Sequence, residues 1–319
     1  MPAERRRVAH FLTSRYSESH QNDLTHPIHP IFDFDLWSEP GSRESLEPVL
    51  RLASLLLESP ASQRFIYSRL YTDHRIQKMY TYTKCRFRRS QAPDDAVERG
   101  FQEATCYVAK RIGYRWEEFM DNAFAITTEI PDPNNESIES CKIAIKPSLF
   151  TWIQRSPVGP RDGSHIARHR FNLAVTLCHE VAHAIDALAP SQCGKTRWNA
   201  HHYFEDQKKS ELGCAWEAEV LGFTADREIN YGETSINAAR HSSVRYSRQM
   251  LALPGRNRPP SPGLSGCIIP IDYIARIQRQ IFWDRSRRTM TMLRISTKME
   301  HWICNGEDWV QIFDWRATD

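Results

Sequence analysis

The stretch from about Ile166 to Leu188 constrains this chain more than any other. Its apolar residues recur at helical spacing, and Pro190 stops the pattern. Winding it at about 100° per residue sorts it into two arcs. Leu173, Ala174, Leu177, Cys178, Val181, Ala182, Ala184, Ile185 and Leu188 form one broad apolar arc. His165, His169, Asn172, Thr176, His179, Glu180, His183 and Asp186 hold the other. A solvated stripe near the middle of a helix usually carries Lys, Gln, Glu or Arg. Here the stripe has no Lys, and its Arg candidates lie only in the first turn. A row of His, Thr, Glu and Asp reads instead as the lining of a cavity. With 319 residues, 40% of them AVILMFWYC, the chain is long enough to bury such a helix in a sizeable core.

The polar arc contains His179-Glu180-Val181-Ala182-His183. Residues four apart share a helix face, so both imidazoles can reach one metal ion, while Glu180 sits about 100° round from His179. The chemical reading of HExxH is two zinc ligands, His179 and His183, with Glu180 as the general base acting on water. One zinc per chain is the expected cofactor. Catalytic zinc takes three protein ligands, so a third is needed. A second helix, expected from about Asp206 to Glu228, offers Glu211, Glu217 and Glu219. From Glu211 the same-face positions are Cys214, Ala215 and Ala218, a small-residue surface that permits close packing; from Glu217 they are Val220, Leu221 and Thr224. Glu211 therefore leads, with Glu217 as the alternative and Glu219 behind. Glu217, beside Trp216, has a second reading as a group supporting a ligand or contacting substrate. Candidates to stabilise a developing oxyanion are His201, His202, Tyr203, Tyr231 and His241.

The rest of the chain frames this centre. Residues 1–45, rich in His, Ser, Pro and charge, read as a loosely structured lead-in. Helices are expected over Leu46–Glu58, Ser62–Tyr71 and Ala96–Ile112, a loop at 131–135, and a short strand over Cys141–Lys146. The catalytic domain is expected over 46–253, with its core at about 141–230. A Pro/Gly-rich loop at 254–266 and a helical extension over 267–319 follow. No apolar run reaches the ~20 residues of a membrane span, and the N-terminus lacks the apolar region of a secretory signal. The eight cysteines have irregular spacing and no CxxC, which fits free thiols and an intracellular, cytoplasmic or nuclear setting. A net charge of +3 gives no mandate for nucleic acid or an anionic membrane.

The order of these parts resembles the zincin metallopeptidases. The motifs are Leu177-Cys-His-Glu-Val-Ala-His-Ala184, then Tyr203-Phe-Glu-Asp206, then Glu211-Leu-Gly-Cys-Ala-Trp-Glu217. A glutamate as third ligand is similar to the gluzincin branch, and the whole resembles zincin-like proteins known mainly from fungi. The resemblance covers roughly residues 141–230. It implies an α+β fold with a small mixed sheet, an HExxH helix, a Glu-bearing ligand helix and helical flanking segments. It also implies hydrolysis of a peptide or protein substrate, and a strand like 142–146 able to pair with that substrate. One departure stands out. Gluzincins carry an Asp four residues after the ligand Glu, to orient a ligand histidine; here that position is Ala215 for Glu211 and Leu221 for Glu217. The orienting group must then come from elsewhere, with Asp186 as the candidate. Two other readings follow: a catalytically silent zincin-like binding domain, favoured by that departure, and a DNA-associated HExxH protease using the Arg clusters at 86–89 and 285–288.

Overall fold

A computed structural model of the chain describes residues 22–39, 41–72, 74–78, 83–120, 123–133, 138–154, 160–189, 200–204, 211–222, 224–226, 245–247, 265–268, 271–286, 301–305 and 308–313. It is a mixed α+β structure. After two short 3-10 turns come helices α1 (Arg43–Leu57) and α2 (Pro60–Tyr71), strands β1 (His74–Lys78) and β2 (Thr83–Phe87), and α3 (Asp94–Ala109). Then follow β3 (Ile112–Trp116), β4 (Ala125–Pro131), β5 (Ile138–Ile145), α4 (Pro147–Gln154) and the long α5 (Pro160–Leu188). Strand β6 (Ala200–Phe204) and helix α6 (Leu212–Val220) complete the part that concerns the candidate site. Among the described residues, no helix is long and apolar enough to cross a membrane.

A three-stranded mixed sheet lies beside α5. Its order is β3-β5-β4, with β5 parallel to β3 and antiparallel to β4. The strand expected at 141–146 is therefore the middle strand and starts earlier, at Ile138. Ile143 and Ile145 are fully buried, and Pro147 ends the strand by opening α4, a position where its missing N–H costs nothing. Because β5 is paired on both sides, it cannot receive a substrate strand. Among the described residues, β3 and β4 are the edges of this sheet, and β4 is the one that contacts α5. A second three-stranded sheet has the order β1-β2-β6, and β2 runs parallel to β6 with Cys85 opposite His202 and Arg86 opposite Tyr203.

The core runs between α1 and α5. Leu50, Leu52, Leu56 and Leu57 of α1 are fully buried, as are Leu173, Leu177, Val181 and Ala184 of α5. The apolar arc read from the sequence is thus buried in the core, while α5 as a whole contacts α1, α4, α6 and the β4–β5 strands. Burying each such leucine contributes on the order of 2 kcal/mol.

Two segments differ from their sequence reading. The part of the lead-in that is described, 22–39 and 41–45, is packed rather than loose: Ile31, Phe32 and Trp37 are buried, the first long helix already opens at Arg43, and the Tyr114 hydroxyl of β3 donates to the Ile31 carbonyl at 2.8 Å. The C-terminal extension is not wholly helical. Beside α7 (Ile271–Arg276) and α8 (Gln280–Ser286) it carries β9 (Ser265–Ile268), β10 (His301–Asn305) and β11 (Asp308–Phe313). These join β7 (Thr224–Asp226) and β8 (Arg245–Ser247) in a five-stranded sheet.

Candidate metal centre

Helix α5 brings its polar stripe inside the protein. Thr176 and Glu180 are buried, and His179, His183 and Asp186 are only partly exposed. One turn of helix sets the two imidazoles side by side, with ring centroids 5.3 Å apart. Facing them is Glu211. Its carboxylate oxygen Oε1 lies 3.5 Å from His179 Nε2 and 2.5 Å from His183 Nε2. Among the described residues, His179, His183 and Glu211 are the group whose ligand atoms could hold a metal ion, all within 4.8 Å of one another.

Glu211 reaches this place by a route the sequence reading did not anticipate. It is not on a helix face. It is the residue that caps α6, with extended backbone (φ −150°, ψ 128°), and its side chain accepts the N–H groups of Gly213 at 2.8 Å and Cys214 at 2.5 Å. Two amides of the first turn are satisfied by the carboxylate that faces the histidines. The helix itself is shorter than expected. It ends at Val220, followed by Leu221 and a left-handed Gly222 (φ 83°), and Thr224–Asp226 is a strand.

The close approach of α6 to α5 rests on Gly213, not on Cys214, Ala215 and Ala218. A Cβ added at Gly213 would fall 2.3 Å from the His179 ring atoms, far inside contact distance. The glycine backbone therefore lies against the imidazole. Trp216, fully buried, also fixes the helix by donating its indole N–H to Ser62 of α2 at 2.8 Å.

Glu217 follows from that anchoring. Fully buried, it points its Oε1 at His179 Nδ1, 2.7 Å away. A carboxylate only accepts, so Nδ1 carries the proton and Nε2 is the nitrogen turned to Glu211. This is the arrangement that orients a metal-binding histidine and raises its basicity. The orienting carboxylate thus stands six residues after Glu211, not four. Asp186 is engaged elsewhere, in an ion pair with the buried Arg69 of α2. Glu219 is turned away and accepts from Arg89, with its Oε2 2.9 Å from a guanidinium nitrogen.

The charges at the centre are strongly coupled. Desolvation pulls the His183 imidazole down, but the hydrogen bond and charge of Glu211, with the charges of Glu180 and Asp186, outweigh it and raise the group to about 9. Burial pushes Glu211 up, but the two imidazoles and Cys214 prevail and hold it well below the usual carboxylate range. The imidazole and the carboxylate thus each favour the charged form of the other.

Glu180 lies next to this group, with its carboxylate Oε2 2.8 Å from the Thr127 hydroxyl of β4. Thr127 was not singled out by sequence reasoning. Of the oxyanion candidates, His201, His202 and Tyr203 fall on β6, whose backbone lies near α6, and their side chains are outside the described residues. Tyr231 and His241 also lie outside them. Comparison with protein-family models, curated proteins and solved structures finds no match for the chain.

Proposed function

We propose that this chain is a zinc-dependent peptidase of zincin type, with one zinc per chain. The observation that carries the reading is the convergence of His179, His183 and Glu211 beside Glu180, with Glu217 fixing the His179 tautomer. The donor set fits zinc: two imidazole nitrogens and one carboxylate oxygen, drawn from an HExxH turn and a second element. In a tetrahedral site with bonds of about 2.1 Å, donors stand about 3.4 Å apart. The His179–Glu211 separation is close to that, and the shorter His183–Glu211 contact is a hydrogen bond that metal uptake would replace. A small sheet whose edge strand flanks the HExxH helix also supports a zincin-like core.

Zinc, when bound, supplies Lewis acidity for a scissile carbonyl and acidifies water. The protein's own groups do the rest. Glu180 removes the proton from the attacking water and hands it to the leaving nitrogen. His179 is held in one orientation by Glu217, and Glu211 is held by the α6 amides, so neither ligand needs reordering. The β4 edge, adjacent to Glu180, is the place for an extended peptide to align.

The silent-domain reading drew its support from the missing Asp at 215. Glu217 takes that role, so the support lapses. The DNA-associated reading relied on the arginines at 86–89 and 285–288; of these, Arg89 is committed to Glu219.

The test is zinc content and peptide-library cleavage. Wild type should bind about one zinc and cut; His179→Ala should lose the metal. Glu180→Gln should keep the metal and lose activity by about 10²–10⁴-fold, because an amide cannot take the proton. Zinc-free wild type after purification without chelator sinks the reading, as does equal cleavage by Glu180→Gln.

A further inference from the structure

The Thr127 hydroxyl makes two contacts with one residue of the HExxH helix. It lies 2.8 Å from Glu180 Oε2 and 3.1 Å from the Glu180 carbonyl oxygen. Glu180 is 5% exposed, so water contributes little to holding its carboxylate. A buried carboxylate that loses a donor is costly, and one free to rotate is a poor base. Thr127 is well suited to hold it. Its β-branched side chain has restricted χ1, and it sits on a paired strand, opposite Ile143 of β5. Its neighbour Thr128 is exposed and points away, as strand alternation requires. The hydroxyl has one proton to donate, and the carboxylate oxygen at 2.8 Å is the nearer of its two acceptors, so its hydrogen bond ties the sheet edge to the residue proposed as general base.

We infer that Thr127 is a positioning residue that fixes the Glu180 carboxylate, so that the strand proposed to align substrate also sets the base. This rests on the peptidase reading. Because β4 carries both functions, displacement of the edge moves the base with it.

The experiment compares Thr127→Val and Thr127→Ser in the full chain at matched zinc content. Valine keeps the shape and removes the donor; serine keeps the donor. The expected result is a kcat lower by about 10- to 100-fold in Thr127→Val with KM little changed, and substantial recovery in Thr127→Ser. An unchanged kcat, a loss confined to KM, or no recovery by serine overturns the proposal. A second measurement needs no activity: urea midpoints of zinc-free wild type, Thr127→Val, Glu180→Ala and the double variant. The two changes should be non-additive, since each removes the same hydrogen bond. Additive midpoints overturn the proposal whatever the activity. Wild type that cuts nothing while the midpoints stay non-additive overturns the peptidase reading and leaves the Thr127–Glu180 link upheld.

Discussion

Helices α5 and α6 supply the same centre in opposite ways. Helix α5 spans 29 residues and presents His179, Glu180 and His183 from within five successive residues, on a face fixed by its apolar arc. Helix α6 has nine residues and gives its two groups from different kinds of position. Glu211 comes from the cap, Glu217 from the buried body of the helix. A long helix places side chains by periodicity. A short one places them by how its end is closed and by the few contacts that pin it, here Gly213 against His179 and Trp216 against Ser62.

This difference can be broken one element at a time. Glu211→Gln should have the largest effect on zinc retention, because it removes the charge of the proposed third ligand and weakens the cap together; equilibrium zinc affinity by competition with a chelator measures it. A variant that keeps wild-type affinity would mean the ligand lies elsewhere. Gly213→Ala should come next. The added methyl must displace the His179 ring or push α6 away, so affinity should fall although no ligand has changed. Glu217→Gln should cost about 10- to 100-fold, the usual range for a group that orients a ligand. Glu219→Gln should leave affinity unchanged, since that carboxylate faces Arg89.

The smallest effect is protonic and sharpens the comparison from the metal-free side. His183 at about 9 is protonated at neutral pH and must give up that proton to bind zinc. Calorimetry in buffers of different ionisation enthalpy should report about one proton released at pH 7 from this site, falling away as pH rises past 9. Stability follows the same sign. The folded value lies above the ordinary 6.5, so the contribution of His183 is fully present below 6.5 and is lost as pH rises through about 9. Metal-free protein should show that decline in its urea midpoint, and zinc-loaded protein should not.

Helix α5 was legible because its period persists over many turns, and the i, i+4 spacing of His179 and His183 sets both on one face. Glu211 was legible as a residue but not as a cap. Glutamate is outside the usual capping set, and Ser210 just before it is the stronger signal for that role. Two clues to the α6 geometry were present. An isolated Gly within a helical stretch costs ~1 kcal/mol against Ala and ordinarily marks close packing. A Glu among Ala215, Trp216, Val220 and Leu221 is a carboxylate on an apolar face, where it needs a partner. The packing of Ile31, Phe32 and Trp37 was hidden because 3-10 turns and extended segments carry no period to read. Thr127 was hidden because nothing in a strand sequence says which residue of a helix it will face.

With Glu211 as the cap of α6, uptake of the proposed zinc would be a local folding event. The carboxylate that would bind zinc is the same one that receives the amides of Gly213 and Cys214. Anything that immobilises Glu211 also slows fraying of the first turn of its helix, and those two amides become natural reporters of occupancy. Their hydrogen exchange should slow when zinc is added, while amides at the far end of α6, near Val220, should respond much less.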